Sequence, residues 1–303
     1  MFACVRKIRC VATAIAQLTR PSVIHVAVRT KCEGKKKYMD MDCKVALITG
    51  GTSGIGFGAA NELLCQGAKA VVITGLEECQ GRQAAKDLNA MHGHGRCLFM
   101  RLDVEAKKMF EEVIKETMAR YGSLDILFNN AGVMNDKEWE KCVEVNLNGM
   151  IRGCSLALEY MPTNESKTGV VINCAGTFGF EAMPYVPIYT ATQHGVIGLT
   201  KSWGSPCHFE KTGIRIMALC PGITETDMIT KERGKAQLTP EWTNKAFEML
   251  DSMPKQTTLA TGKALAYIIK YGDPGTLWPC EANVLFQAQP PERATFQTKV
   301  MDV

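Results

Sequence analysis

Short apolar runs alternate along this chain with longer segments in which apolar residues recur at helical spacing. Continuous apolar runs are typical of strands that are buried on both faces of a parallel sheet. Six short, mostly apolar runs are predicted as strands, at residues 45–48, 70–74, 97–102, 124–128, 170–174 and 214–219, and the first of them is apolar throughout. Helices are predicted at 59–66, 77–91, 105–121, 143–160 and 187–202, with a last helix that ends at 267–271. The alternation indicates an α/β fold: a single doubly wound domain with a seven-stranded, mostly parallel sheet, whose seventh strand lies within 276–286, and helices on both faces.

One domain, residues 41–303, is the simplest organisation after a basic amino-terminal extension at 1–40. No internal repeat, linker or low-complexity tract interrupts the chain after Lys44. The chain carries 35 Lys and Arg against 31 Asp and Glu, and residues 1–37 hold nine of those bases and one of those acids. The remainder therefore has a formal charge of −4, and its charge does not indicate a nucleic-acid binder.

The extension admits three interpretations. Residues 1–32 lack acids and repeat apolar residues at roughly helical spacing, which resembles a mitochondrial transit peptide. The alternatives are a disordered segment, or translated sequence upstream of a start at Met39 or Met41. The protein is accordingly expected in the cytoplasm, or in mitochondria if residues 1–38 direct import. The extension is too charged for a membrane span, and we expect it to be dispensable for folding because it precedes the first strand.

Thirteen cysteines are spread along the chain without a C-x-x-C pair. An odd number without paired spacing suits reduced thiols in an intracellular protein better than a disulfide framework or a zinc site. We therefore expect no metal.

The residues that follow the first strand form a glycine-rich turn. Residues 44–56 read KVALITGGTSGIG, with Gly50, Gly54 and Gly56 at fixed offsets. Glycine allows a tight turn and a close approach of the backbone to a pyrophosphate, so that amide N–H groups and the dipole of the next helix face the anion. The pattern predicts a dinucleotide site. Taken alone, it would also fit an ordinary turn between strand and helix.

Several further motifs in the same order resemble the short-chain dehydrogenase/reductase family. They are the glycine pattern, the sequence NNAG at 129–132, Tyr189 in the helix after the fifth strand, and Pro221-Gly222 after the sixth. The resemblance covers residues 44–228 strongly. It implies a Rossmann-type, NAD(P)-binding oxidoreductase that transfers hydride between the cofactor and a secondary alcohol or ketone. It also implies a substrate lid at about 224–255 and a homodimer or homotetramer.

The resemblance assigns cofactor contacts to the glycine loop, to the ends of three strands and to the catalytic helix. The residues are Gly50, Thr52, Ser53, Gly54, Ile55, Gly56, Asp103, Val104, Asn129, Ala131, Gly132, Tyr189, Gln193, Pro221, Gly222, Ile223 and Thr226. Asp103 is also a candidate N-cap of the helix 105–121.

The choice between NAD and NADP depends on the end of the second strand. An acid at that end binds the adenosine ribose in NAD-dependent members of such folds. Here the strand ends in Thr74-Gly75-Leu76, with neither an acid nor an arginine, and Glu77 and Glu78 follow. Because glutamates repel a 2′-phosphate, NAD is favoured and NADP is not excluded.

The family's catalytic tyrosine is matched by Tyr189, but two of its partners are replaced. The lysine four residues on, which shares a helix face with the tyrosine and lowers its pKa, is Gln193 here. The serine thirteen residues before the tyrosine, which binds the substrate oxygen, is Gly176, and Thr177 is the nearest hydroxyl. Asn146 matches the asparagine of the family's proton relay.

Three hypotheses remain open at this point. The first is an oxidoreductase that works with the depleted set of Tyr189 and Asn146. The second is a nucleotide-binding protein that no longer catalyses, and the third is an assembly partner that pairs through the helices around Val143 and Pro187. Within the family, residues 189–200 and 220–223 are most similar to prostaglandin dehydrogenases and insect alcohol dehydrogenases. A small apolar alcohol or ketone, lipid-like or prostaglandin-like, is the implied substrate.

Overall fold

The computed structural model describes residues 36–161, 169–230 and 238–290. Most of the predicted extension, part of the predicted lid and the residues after 290 lie outside the described residues.

The strands of the described residues form one sheet. They are Val45–Ile48 (β1), Ala70–Gly75 (β2), Cys97–Arg101 (β3), Ile126–Asn129 (β4), Val170–Cys174 (β5), Arg215–Pro221 (β6), Leu277–Glu281 (β7) and Val284–Leu285 (β8). Their order is β3-β2-β1-β4-β5-β6-β7-β8, and all neighbours are parallel except β7 and β8. The predicted fold class is thus confirmed. The order reverses between β1 and β4, which places the expected ligand crevice at the carboxyl ends of these two strands.

The sheet has eight strands instead of the predicted seven because residues 276–286 form a hairpin. Ala282 and Asn283 join β7 to β8 with φ of 49° and 64°. Positive φ at both residues of a two-residue loop matches the twist of the flanking strands and allows the tight reversal. Alanine rarely adopts this conformation, which is why the turn could not be recognised in the sequence.

Helices cover both faces of the sheet. Their bounds are Gly54–Cys65 (α1), Glu78–His92 (α2), Lys107–Tyr121 (α3), Trp139–Val143 (α4), Gly149–Tyr160 (α5), Pro187–Trp203 (α6), Pro206–Thr212 (α7), Asp227–Thr230 (α8), Pro240–Ser252 (α9) and Thr258–Tyr271 (α10). The predicted helix 143–160 begins earlier, with α4, and contains a π-helical turn, Glu144–Asn148, before α5. None of these helices is long and apolar enough to cross a bilayer.

The core lies on the two faces of the sheet. Ala46 and Ile48 of β1 pack with α1, α2 and α10, whereas Leu47 packs with α3 and α5 on the other face. All of β1 is buried. Burial on both faces is the reason that the strand is a continuous apolar run without polar alternation.

The residues just before β1 pack on the rest of the domain, beginning at Tyr38. Its backbone N–H donates to the Lys270 carbonyl at 2.8 Å, and its hydroxyl donates to Asp273 at 2.5 Å. Met39 and Met41 are buried in the core. The packing therefore extends to residues ahead of the predicted boundary at 40.

Candidate active site

The glycine loop connects β1 to α1 and admits no side chain at its tightest point. Gly50 and Gly54 have φ of +61° and +54°, a conformation that favours glycine. A Cβ on Gly56 would lie 2.3 Å from the Gly50 carbonyl oxygen. Thr52 and Ser53 lie at the tip of the loop, and Ser53 is the N-cap residue of α1 without using its side chain to cap it. The first N–H groups of α1, which include that of Ile55, are therefore available to an anion.

The segment after β4 holds the glycine loop in place. The Asn130 side chain donates to the carbonyls of Thr49 and Gly50, at 3.0 Å each. In return, the Thr49 hydroxyl accepts from the backbone N–H groups of Asn130 and Ala131 at 2.9 and 3.0 Å. Asn130 is thus a site residue that is absent from the predicted cofactor contacts, although it belongs to the NNAG motif.

Asn129 has a different environment from its neighbours. Its side chain is 2% exposed and donates to Asn173 at 3.0 Å, and Asn173 donates in turn to Thr200 of α6 at 3.0 Å. This buried polar chain ties β4, β5 and α6 together. The side chain of Asn129 is thus bonded within the sheet centre, and its assignment to the cofactor remains a prediction.

The segment after β6 closes over the glycine loop. A Cβ built on Gly54 would lie 3.1 Å from the Thr226 methyl group, which places Thr226 directly above the loop. Gly222 donates its N–H to the Cys280 carbonyl at 2.8 Å and so fixes the turn that follows Pro221. Beside it lies a cleft of about 330 Å³, lined by Ile223, Glu225, Thr226, Asp227, Ile229, Thr230 and Lys255.

At the predicted adenosine end of the site, β2 stops at Gly75, and Arg101 of β3 is the residue paired with Gly75. A Cβ on Gly75 would lie 2.9 Å from the Thr52 methyl group, so a larger residue would displace Thr52. Arg101 is exposed and donates to the Leu76 carbonyl at 3.3 Å. Sequence reasoning missed this cation because only strand pairing brings it beside Gly75. Glu78 forms an exposed ion pair with Arg82.

The residues assigned to the end of β3 lie at the same edge of the sheet. The Asp103 carboxylate accepts the Glu105 N–H at 3.0 Å, and α3 begins only at Lys107. Asp103 is therefore not the N-cap of α3, and the expectation that it caps that helix is wrong. Val104 is buried against Gly149, and a Cβ built on Gly149 would lie 3.0 Å from a methyl group of Val104.

Tyr189, Gly176 and Gln193 meet at one point. Tyr189 is in the first turn of α6 and half-buried, and Gln193 follows one turn later. A Cβ on Gly176 would lie 3.6 Å from the Tyr189 hydroxyl and 3.7 Å from the Gln193 side-chain oxygen. The three positions thus converge as the family's tyrosine, serine and lysine positions should.

Gln193 bonds to the loop that carries Gly176. Its side-chain oxygen accepts the Gly176 N–H at 2.6 Å, and its amide nitrogen donates to Thr192 at 3.3 Å. The residue is 3% exposed. A neutral, buried amide therefore occupies the position where a lysine would place a positive charge.

Asn146 lies in the π-helical turn and clamps a backbone segment. Its side-chain oxygen accepts the Val133 N–H and its amide nitrogen donates to the Val133 carbonyl, both at 2.8 Å. The same nitrogen lies 3.4 Å from the Thr192 hydroxyl, which donates to the Tyr189 carbonyl at 2.7 Å. Gly132 is adjacent, with a built Cβ 3.4 Å from the Asn146 oxygen. The relay role of Asn146 remains a prediction.

Burial raises the pKa of Tyr189 above its ordinary value, and the thiols of Cys174 and Cys142 act in the same direction. Burial also raises the pKa of Cys174 to about 12 and that of Cys142 to about 11. These thiols are neutral at pH 7, so burial is the operative cause there. The phenol is therefore protonated at neutral pH.

An apolar cluster formed partly by residues of the predicted lid packs against Tyr189. Its buried members are Met134, Phe178, Met183, Val186, Ile223, Ile229, Ala246, Phe247 and Leu250. Phe247 and Leu250 belong to α9, within the predicted lid. Within the described residues, no group of three His, Cys, Asp or Glu side chains could hold a metal ion.

Comparison with known proteins gives consistent matches. The family model described as short chain dehydrogenase matches residues 44–237. Human 15-hydroxyprostaglandin dehydrogenase (NAD+) is 35% identical over 203 residues, which cover 66% of this chain and 76% of that protein. Fat body protein 2 of Drosophila melanogaster is 27% identical and covers 83% of this chain and 97% of its own length.

Two solved structures share the architecture. Levodione reductase superposes with a TM-score of 0.71 at 26% identity, and the match spans 80% of this chain and 97% of the levodione reductase chain. An actinorhodin polyketide ketoreductase with NADPH superposes with a TM-score of 0.69 at 28% identity and covers 80% and 98%.

Proposed function

Because the chain belongs to the short-chain dehydrogenase family, we propose that it binds a nicotinamide dinucleotide and transfers hydride between it and a secondary alcohol or ketone at Tyr189. The observation that carries the proposal is the convergence of the Tyr189 hydroxyl with the Gly176 and Gln193 positions. The glycine loop supports the cofactor, since a Cβ on Gly56 would collide with the Gly50 carbonyl oxygen and so prevent the tight turn from strand to helix that a pyrophosphate site needs.

The nicotinamide ring, when bound, supplies or takes up the hydride. In the reductive direction the Tyr189 hydroxyl donates a hydrogen bond and then its proton to the substrate oxygen, while the carbonyl carbon gains the hydride. The O–H bond of Tyr189 breaks as the alcohol O–H bond forms, and the resulting phenolate regains a proton from solvent. Since the phenol is protonated at neutral pH, reduction starts from the abundant form, whereas oxidation requires the scarce phenolate.

A second function is favoured by one contact. The Gln193 oxygen holds the Gly176 N–H at 2.6 Å, so the position of the charged partner is taken by a structural hydrogen bond. This contact supports a nucleotide-binding protein without turnover.

One experiment separates the two functions. The purified chain is titrated with NADH and NADPH by fluorescence and then assayed with secondary alcohols and ketones. Turnover that Tyr189→Phe abolishes supports the enzyme. Tight binding without turnover supports the second function, and failure to bind either nucleotide at millimolar concentration overturns both.

NAD is the proposed cofactor, on the basis of Glu77 and Glu78 after β2. Arg101 beside Gly75 acts against this preference because its guanidinium could pair with a 2′-phosphate. Tighter binding of NADH than NADPH in the titration supports the proposal. The reverse order, removed by Arg101→Ala, would instead assign the phosphate to Arg101.

The proposed substrate is a small apolar alcohol or ketone, lipid-like or prostaglandin-like. The apolar cluster of lid residues against Tyr189 and the similarity to 15-hydroxyprostaglandin dehydrogenase support this class. Because the same cluster also serves as the core of the lid, a panel of short, branched and lipid-like ketones is required. A preference for short polar substrates would count against it.

A homodimer or homotetramer that pairs through the helices near Val143 and Pro187 is the proposed assembly, and Trp139 on α4 is half exposed beside them. Light scattering of the purified chain measures the assembly, and a monomer would overturn it.

The compartment is proposed as cytoplasmic, or mitochondrial if residues 1–38 direct import. A fluorescent fusion of residues 1–38 that stays in the cytosol would overturn import.

A further inference from the structure

One buried amide, that of Gln256, joins both ends of the predicted lid to the last hairpin of the sheet. Gln256 directly follows the predicted lid and is 2% exposed. Its side-chain nitrogen donates to the Cys280 carbonyl at 2.6 Å and to the Thr224 hydroxyl at 3.2 Å. Its side-chain oxygen accepts hydrogen bonds from the Asn283 N–H at 3.3 Å and from the Cys280 thiol at 3.4 Å. The amide thus uses both of its N–H groups and both lone pairs of its oxygen.

The backbone of Gln256 closes the base of the predicted lid. Its N–H donates to the Ile223 carbonyl and its carbonyl accepts the Glu225 N–H, both at 2.9 Å, so that Gln256 pairs with Thr224 in a parallel bridge. These bonds place the residue that follows the lid beside the residue at which the lid begins. The two chain segments therefore diverge only beyond Glu225, and Thr226, the next residue, starts from a fixed position.

The segment that Gln256 holds lies over one half of the predicted cofactor site. Thr226 lies above Gly54 of the glycine loop, and β6, which precedes this segment, lies on the opposite side of β1 from β2 and β3. Since the predicted adenosine end is at β2 and β3, the segment after β6 belongs to the nicotinamide half. The Cys280 carbonyl that Gln256 bonds also accepts the Gly222 N–H at 2.8 Å, which ties the turn before this segment to the same acceptor.

We propose that Gln256 is a positioning residue for the nicotinamide half of the cofactor. It holds residues 223–226 over the glycine loop by fixing the base of the lid and the turn at Gly222, and it acts through these residues. The role rests on the proposed function and deepens it, because it divides the cofactor site into two halves that are held by different contacts. None of the described hydrogen bonds of Gln256 reaches Gly75 or Asp103 at the adenosine end.

The Gln256 amide can be removed without leaving a strong buried donor or acceptor unpaired. The Cys280 carbonyl keeps the Gly222 N–H, and the Thr224 hydroxyl keeps its bond to the Gly222 carbonyl at 3.0 Å. Asn283 is exposed, so its N–H can bond water. Burial raises the pKa of Cys280 to about 11, so its thiol stays neutral and is only a weak donor. Gln256→Met, which preserves the length of the side chain, is therefore expected to fold.

The test compares Gln256→Met with Asn89→Leu in the full chain. Asn89 is the matched control because its amide also joins two elements: it donates to the carbonyls of Ala85 and Cys97 at 2.8 Å each and accepts the Cys97 N–H at 2.9 Å. Cys97 is the first residue of β3, so these bonds lie away from the carboxyl ends of the strands. Affinity for NADH, or for NADPH if the natural chain prefers it, is measured by fluorescence titration. Affinity for the adenosine half of the same nucleotide, AMP or its 2′-phosphate, is measured by calorimetry, and a urea midpoint is recorded for each chain.

We expect Gln256→Met to weaken binding of the intact nucleotide about fivefold or more, the equivalent of one hydrogen bond, and to leave binding of the adenosine half within about twofold. Asn89→Leu should lower the urea midpoint without changing either affinity. If Gln256→Met does not fold, Thr224→Val replaces it, because it removes the bond between these two side chains and keeps the bond from Gln256 to Cys280. The same selective loss is expected there.

Unchanged affinity for the intact nucleotide, or an equal loss for its adenosine half, overturns the proposal, because the amide would then contribute to general stability alone. A selective loss of equal size in Asn89→Leu overturns it as well. These outcomes leave the proposed function intact, since the natural chain still binds the nucleotide in each of them. A natural chain that binds neither NADH nor NADPH overturns the proposed function and, with it, this role of Gln256.

Discussion

The side-chain oxygen of Gln193 accepts a hydrogen bond from the Gly176 N–H at 2.6 Å, which joins the two positions at which this chain departs from its family. The two departures are therefore coupled in space. A charged side chain at 193 would release the Gly176 N–H, and a hydroxyl at 176 would lie beside the Tyr189 phenol. Neither replacement acts independently of the other.

Restoring both groups should raise activity far more than either change alone. Gly176 has φ of −90° and ψ of 166°, and a Cβ there makes only ordinary contacts, so Gly176→Ser fits without strain. The hydroxyl should contribute ~10²–10³ in rate as a donor to the substrate oxygen, and Gln193→Lys should lower the phenol pKa. The measurement is NADH or NADPH consumption with a panel of ketones.

The matched control carries both replacements and Tyr189→Phe. It should show no gain, because each restored group acts through the phenol. If the double replacement adds no activity while the cofactor still binds, the pocket no longer accepts the substrates of the family, and the non-catalytic function is supported.

Alcohol oxidation and ketone reduction should differ in their pH dependence. Burial raises the pKa of Tyr189, so at neutral pH the phenolate is a small fraction that increases about tenfold per pH unit. The kcat/KM for alcohol oxidation should therefore rise with pH throughout the neutral and moderately alkaline range, whereas that for ketone reduction should stay flat. In Gln193→Lys the oxidation profile should level off at lower pH. A bell-shaped oxidation profile centred near neutrality in the natural chain would contradict this reasoning.

The fold was largely predictable because its signals are local. The apolar run of β1 is buried on both faces, and Gly50, Gly54 and Gly56 have conformations or contacts that exclude other residues. The meeting of Tyr189 with Gly176 also follows from sequence, since parallel strands bring their carboxyl ends to one edge. The catalytic and cofactor-binding roles predicted for these positions came from the resemblance to the short-chain dehydrogenase family.

The rest of the site depends on contacts between distant residues that no periodicity encodes. Asp136 is one of several acids in the charged segment 136–140, and only the fold places it at the start of α6, where it accepts the Tyr189 N–H. Arg101 lies beside Gly75 because β3 pairs with β2. The π-helical turn that orients Asn146 likewise has no local signal, since nothing in its residues, EVNLN, distinguishes a π-helical turn from an α-helical one.

Gly56 should be essential for nucleotide binding. A Cβ there would lie 2.3 Å from the Gly50 carbonyl oxygen and 2.7 Å from the Asn130 side-chain nitrogen, two groups whose hydrogen bond holds the glycine loop in place. Gly56→Val should therefore reduce NADH affinity beyond detection in a fluorescence titration. Gly198→Ala is the control, since α6 offers its Cβ open space and binding should not change. Natural affinity in Gly56→Val would mean that the loop does not form the site.

The boundary of the dispensable extension should lie before Tyr38. Arg215 is fully buried, and its guanidinium donates to the carbonyls of Ile269 and Gly272 at 2.7 Å each. The Tyr38 ring lies 4.5 Å from this guanidinium, and its hydroxyl bonds Asp273. Removing the ring takes away a cation–π contact of this buried guanidinium, whose pKa burial lowers to about 10.

Deletion of residues 1–36 should accordingly leave the urea midpoint unchanged, whereas Tyr38→Ala should cost about 1–3 kcal/mol of unfolding free energy. Tyr38→Phe keeps the ring over Arg215 and loses the bond to Asp273, so its cost should be smaller, about 0.5–1.5 kcal/mol. A chain that starts at Met39 lacks the ring and should behave like the alanine variant. If deletion of residues 1–38 leaves the midpoint where it is, the Tyr38 contact contributes nothing to stability, and the whole extension is as dispensable as its basic composition predicts.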